Sequence, residues 1–81
     1  MEHRLKVWSN FFDDVKSGRK NYEVRYDDRD FQVGDVLVLM EFHPLSGVIT
    51  GEEVRRVVTH KLDDRFGGLV RGYCVLGLGA A

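Results

Sequence analysis

Ser17-Gly18-Arg19-Lys20-Asn21-Tyr22-Glu23-Val24-Arg25 is the stretch whose reading decides the fold. It holds the end of a helix and the start of a strand within nine residues. Gly18 is placed to take the left-handed conformation that stops a helix, because it has no Cβ to clash there. Beyond it, Tyr22, Val24 and Tyr26 alternate with Glu23 and Arg25, which predicts a strand over residues 21–26. Alternation puts Glu23 and Arg25 on one face, with Lys20 able to reach over the same face. The three apolar-bodied residues are then expected to face the core.

Upstream, His3, Leu5 and Val7 alternate with Arg4 and Lys6, giving a first strand that ends near Trp8. Ser9 or Asn10 is expected to cap a helix of about two turns. Phe11, Phe12 and Val15 supply its buried face, and Asp13 and Asp14 sit near the positive end of its dipole. Downstream, Asp27-Asp28-Arg29-Asp30 reads as a turn in which Arg29 pairs locally, and Val33-Gly34-Asp35 as a tight turn. Val36 to Phe42 is apolar on successive residues and reads as a strand covered on both faces. His43 to Gly47 is a loop and Thr50-Gly51 a further turn signal. Val54 to Leu62 reads as one long strand with a bulge, Asp63 to Gly68 as a loop, and Gly72 to Leu78 as the last strand. The order β-α-β-β-β-β predicts an α+β, mainly β chain: about five strands in a small barrel, with one short helix after the first strand. Closure is favoured because it removes exposed strand edges.

The bulk properties bound the rest. The 81 residues fit a single domain over 1–81, and 43% hydrophobic with 31% charged residues is ordinary for a folded soluble chain. Val36 to Met40 is far too short to cross a bilayer, and no secretion signal opens the chain. Cys74 is alone, which fits a reducing compartment and makes the cytoplasm the expected location. Net charge is −1, with local balances of +2 over residues 1–20, −4 over 21–50 and +1 over 51–81. Any basic surface must therefore be assembled from the two ends of the chain. His3, His43, His60 and Cys74 lack metal-ligand spacing, so neither a metal nor another cofactor is expected. Cys74 reads as a small buried hydrophobe. Arg55, Arg56, His60 and Lys61 make a basic stretch, either a phosphate track or a solvated strand face.

The Ser17–Arg25 stretch resembles the G-x-K-x-x-E-x-R signature of ASCH domains, with Gly18, Lys20, Glu23 and Arg25 filling all four positions. The run from Asp28 to Leu37, then Thr50-Gly51 and Gly72 to Leu76, is similar to a small, mostly phage and bacterial ASCH-like subfamily. The resemblance runs from His3 to Leu78. It implies a PUA-like β-barrel with a helix beside it, a cleft lined by the signature residues, and an association with RNA. It also implies a rival activity, since some ASCH members are amidohydrolases acting on an acylated cytidine, with a signature Lys, a Thr and a Glu cooperating.

On the chemistry, Arg25 can bind a phosphate in a forked manner and Lys20 can supply a mobile charge. Glu23 accepts hydrogen bonds only, so it suits a base amino edge or holds Arg25 in place. A surface ion pair between Glu23 and Arg25 is the plainer alternative. Arg19 reads as a solvated loop charge. Trp8 either stacks on a base or anchors the helix; Tyr22, Tyr26 and Tyr73 read as core or cross-strand packing. The ligand-binding set is thus Gly18, Lys20, Glu23, Arg25 and Trp8, with RNA or a nucleotide as the expected partner and no membrane. An amidohydrolase would use Lys20 and Glu23. It lacks a threonine at the expected place, however, because Glu23 stands there and Thr50 and Thr59 lie far along the chain. The third class is a protein-interaction accessory domain.

Overall fold

A computed structural model describes residues 1–81. Its elements are β1 (Glu2–Trp8), α1 (Ser9–Ser17), β2 (Tyr22–Tyr26), β3 (Val36–His43), β4 (Val48–Leu62) and β5 (Tyr73–Ala80). All five strands form one sheet in the order β1-β3-β4-β5-β2, curled into a half-barrel. The β1–β3 pair is parallel and the other pairs are antiparallel. The expected mainly β architecture with one short helix after the first strand is therefore the one found.

The inner face collects Leu5 and Val7 of β1, Leu37 and Leu39 of β3, Val58 of β4, and Cys74 and Leu76 of β5, with Phe31 from the β2–β3 loop. Phe12 and Val15 press α1 onto this face. Burial pushes the Cys74 thiol up, as expected of a sulfur packed as a hydrophobe. Val38 is also fully buried although it faces outward. Its register partners Arg4 and Arg55 reach across it to Glu53 and Glu2. β3 is thus covered on both faces, by hydrocarbon inside and by paired charges outside.

Several local expectations are corrected. The helix follows β1 without a linker, so Trp8 takes the capping position in an extended conformation and no side chain caps the first turn. Neither Ser9 nor Asn10 is therefore the cap, and Asp13 and Asp14 lie beyond the first turn. Phe11 is 45% exposed and lines a cleft beside Trp8 and Lys20, whereas Phe12, about 100° round the helix, is buried. Thr50-Gly51 is not a turn but part of β4, where the register with β3 shifts. Gly51 takes φ +94 there, so the turn-like residue marks a bulge. The expected second irregularity is present, between Val58 and His60.

A buried polar knot ties β1 to the loop before β3. The Asp35 carboxylate accepts from the Gln32 N–H (3.0 Å), from His3 Nε2 (2.8 Å) and from the N-terminal amine (3.2 Å). The Gln32 amide, then His3, hold its carboxyl at about 2, below its ordinary 3.8. A depressed carboxyl stabilises the fold fully above its unfolded value and loses that contribution as pH falls through the folded value. Stability is thus expected to decline between about pH 4 and pH 2. Asp35→Asn should flatten that segment of a pH series of urea midpoints. At pH 7 the variant should be less stable by about 1.5–3 kcal/mol, the range for hydrogen bonds to a charged group. An unchanged acid limb in the variant would contradict the assignment.

Candidate functional site

The half-barrel leaves β1 and β2 as the two outer strands, and its curl brings them face to face. No ladder joins them. Along β1, alternate main-chain groups bond β3, as the Met1 carbonyl does with the Val36 N–H (2.9 Å), which turns the Arg4 and Lys6 carbonyls toward the gap. Side chains close it. Arg25 Nη2 donates to the Lys6 carbonyl (2.6 Å), and Arg29 Nη1 donates to the Arg4 carbonyl (3.0 Å). Arg29 is structural as expected, but across this seam rather than within its own acidic turn. Two guanidinium groups, not strand pairing, bridge the seam.

Beside the seam lies a cleft of about 390 Å³ lined by Lys6, Val7, Trp8, Phe11, Lys20, Glu23, Val24, Arg25, Tyr26 and Tyr73. Three of its residues form one charged unit. Lys20 Nζ donates to Glu23 Oε1 (2.7 Å) and Arg25 Nε to Glu23 Oε2 (3.0 Å). Glu23 is only 4% exposed, so both its oxygens are spent inside the fold. The trio carries one net positive charge. Lys20 stays close to the aromatic walls, with its Nζ 5.1 Å from the Tyr22 ring centre and 5.9 Å from that of Phe11.

Lys20 is positioned by the helix stop. Gly18 takes φ +84, its N–H donates to the Val15 carbonyl (3.1 Å), and the Lys20 N–H donates to the Asp14 carbonyl (2.9 Å). Arg56 Nη2 completes the helix end on the Val15 and Lys16 carbonyls (3.2 and 3.1 Å). Gly18 therefore shapes the turn and does not line the cleft.

The strand face expected for the signature is reversed relative to the core. Glu23 and Arg25 share a face, but that face is the inner one; Tyr22, Val24 and Tyr26 are the exposed residues of β2. β2 is an outer strand next to an open seam, so the interior it faces is the charged cleft and not the hydrocarbon core. Tyr26 and Tyr73 do pair across strands, edge to face at 5.5 Å, on the solvent side. Trp8 is 54% exposed, which resolves its two readings against a buried anchor.

In the basic stretch of β4, Arg55, Arg56 and Lys61 each have a partner within the fold. Arg55 pairs with Glu2 and Arg56 with the helix end. Lys61 bonds the Asp27 carboxylate (2.6 Å) and the Phe31 carbonyl (2.8 Å). Burial alone would lower the Lys61 pKa, but the Asp27 partner outweighs it and the net shift is upward. Arg19 is solvated, as expected. Phe11, Val24, Tyr26 and Tyr73 are cleft residues that periodicity assigned to packing. Only the adjacency of two phenylalanines on a short helix hinted that Phe11 would lie off the core.

A family model described as a domain of unknown function (DUF3850) matches residues 2–78, and the chain belongs to that family. It is also similar to a protein of Escherichia phage P2 described as an uncharacterized 12.9 kDa protein in the GpA 3′ region. The two are 38% identical over 61 residues, which is 75% of this chain and 54% of the relative. The chain spans about half the length of that curated relative. No helix is long and apolar enough to cross a membrane.

Proposed function

We propose that this DUF3850 domain binds single-stranded RNA or a nucleotide in the cleft beside the β1–β2 seam. The supporting observation is convergence: Trp8 from β1, Lys20 from the helix stop, and Glu23 and Arg25 from β2 line one cleft with an exposed aromatic rim. Its volume of about 390 Å³ lies near the small end of ligand sites, which suits one nucleotide better than a long strand. Lys20 and the free Nη1 of Arg25 face the phosphate, Trp8 stacks on the base, and Glu23 clamps both cations in place. The likeness of Gly18, Lys20, Glu23 and Arg25 to the ASCH signature supports the same reading.

The amidohydrolase reading has less support. The cleft lining includes no serine, threonine or cysteine. The Thr50 hydroxyl is bonded to Glu41 (2.8 Å) on the β3–β4 hairpin. A nucleophilic hydroxyl would have to come from a tyrosine.

Fluorescence anisotropy with short single- and double-stranded RNAs, at two salt concentrations, tests the proposal. Trp8→Ala should weaken binding by about 1–3 kcal/mol, the worth of one stacked base. Lys20→Ala should lower affinity and reduce the salt slope by about 0.7 for a single strand. Failure of the folded wild type to bind RNA or any ribonucleoside monophosphate at low salt would overturn the reading.

A further inference from the structure

The outer edge of β2 carries main-chain groups that the fold leaves unused. The Asp27 N–H bonds the Gly72 carbonyl (2.8 Å), and the Leu78 N–H bonds the Asn21 carbonyl (2.9 Å). In an antiparallel pair such bonds recur at every second residue. With Glu23 opposite Leu76 and Arg25 opposite Cys74, the residues bonded to β5 are Asn21, Glu23, Arg25 and Asp27. The main chains of Tyr22, Val24 and Tyr26 therefore point to the open edge. The Tyr26 carbonyl is taken by the Asp28 N–H (2.9 Å), while no protein group bonds the N–H or C=O of Val24.

Val24 lies in the cleft, whereas Tyr22 lines the adjoining hollow with Asp14 and Arg19. Within the cleft the edge thus offers the Val24 N–H and C=O, on the same residue and pointing the same way, with the Tyr26 N–H as the next donor along. Past Val24 the seam is shut by the Arg25 bond to Lys6 and the Arg29 bond to Arg4. A peptide strand needs several successive residues of free edge to pair. In the cleft only Val24 offers both groups, the Tyr26 carbonyl being taken, and the window is walled by Trp8, Phe11 and Tyr26. A flat ring with a donor beside an acceptor fits it, and an extended peptide does not.

Building on the nucleotide reading, we propose that the Val24 main chain is the specificity element of the cleft. It pairs with the hydrogen-bonding edge of a nucleobase while Trp8 stacks on the ring and Lys20 faces the phosphate. Recognition then rests on N–H and C=O groups, not on the Val24 side chain, and discriminates bases by the order of donor and acceptor on their edge.

The test is amide NMR of the 15N-labelled chain titrated with the four ribonucleoside 5′-monophosphates and their counterparts methylated on the Watson–Crick edge. A capped Val/Thr tetrapeptide serves as the strand-like probe. The expected result is a downfield shift of the Val24 amide with at least one nucleotide, and binding about tenfold or more weaker after edge methylation. Val24→Pro removes an N–H that the ladder does not use, together with the Val24 side chain, at an outer-strand position where proline is tolerated. It should lose the same factor and no longer distinguish the methylated base; the wild-type titration stands without it if the variant does not fold. A nucleotide that moves Trp8 and Lys20 but not the Val24 amide, and ignores methylation, overturns this inference and leaves the nucleotide reading intact. Shifts of the Val24 and Tyr22 amides with the tetrapeptide alone would make the edge a peptide site and overturn it. Binding by no probe overturns both.

Discussion

Phe12→Ala is expected to remove about 3–5 kcal/mol of folding stability, the cost of deleting a buried phenyl group and leaving its cavity. Phe12 is 2% exposed, and it and Val15 are the two buried residues of α1. For a chain this small the loss is a large share of a total stability that runs about 5–15 kcal/mol in ordinary domains. The consequence reaches the cleft. α1 carries Phe11, and its last turn fixes Lys20 through the Asp14 carbonyl. Urea unfolding followed by circular dichroism gives the stability. Amide NMR of whatever folded fraction remains should show displaced resonances at Phe11 and Lys20. A loss below about 1 kcal/mol would mean that the helix is not anchored as described.

Glu23→Ala should cost about 2–4 kcal/mol, somewhat below the range for breaking a fully enclosed ion pair. Its carboxylate is the shared acceptor of two cations whose side chains are only 21% and 24% exposed. Removing it leaves an ammonium and a guanidinium close together in a cleft with no counter-charge. Two further variants separate charge from packing. Glu23→Gln keeps the shape and an acceptor and should fall between wild type and Ala. Lys20→Ala in the Glu23→Ala background should recover part of the loss by removing the repulsion, a coupling read from the double-mutant cycle. Additive losses in the cycle would show that the trio is not one unit.

Much of the architecture was legible because it is locally written. The β1 alternation of His3, Leu5 and Val7, the successive apolar residues of β3, and the Gly18 stop each announce themselves within a few residues. The long bulged β4 was readable for the same reason, apart from Thr50-Gly51, where one glycine pattern serves equally for a turn and a bulge. The orientation of β2 was not readable. Alternation reports that Glu23 and Arg25 share a face. Which face is inner depends on β2 lying at the end of the sheet opposite β1, a fact of topology. Composition assigns tyrosines to the core, but the interior beside an open seam is ionic. Arg29 and Arg56 were opaque for a related reason. Their partners, the carbonyls of Arg4, Val15 and Lys16, are main-chain atoms that carry no trace in the sequence. For the site, the signature located the trio, while its walls came only with the folded geometry.

The two guanidinium bonds across the seam also bear on how the protein behaves at high concentration. An outer strand with a row of free carbonyls is a template on which strands of other molecules can grow, the first step of aggregation. On β1 the carbonyls of Arg4 and Lys6 would form such a row, and Arg29 and Arg25 occupy them. Charged side chains thus guard this edge against other copies. Whatever draws Arg25 away from Lys6 would uncover part of it, so the protection of this edge depends on a side chain that also lines the cleft.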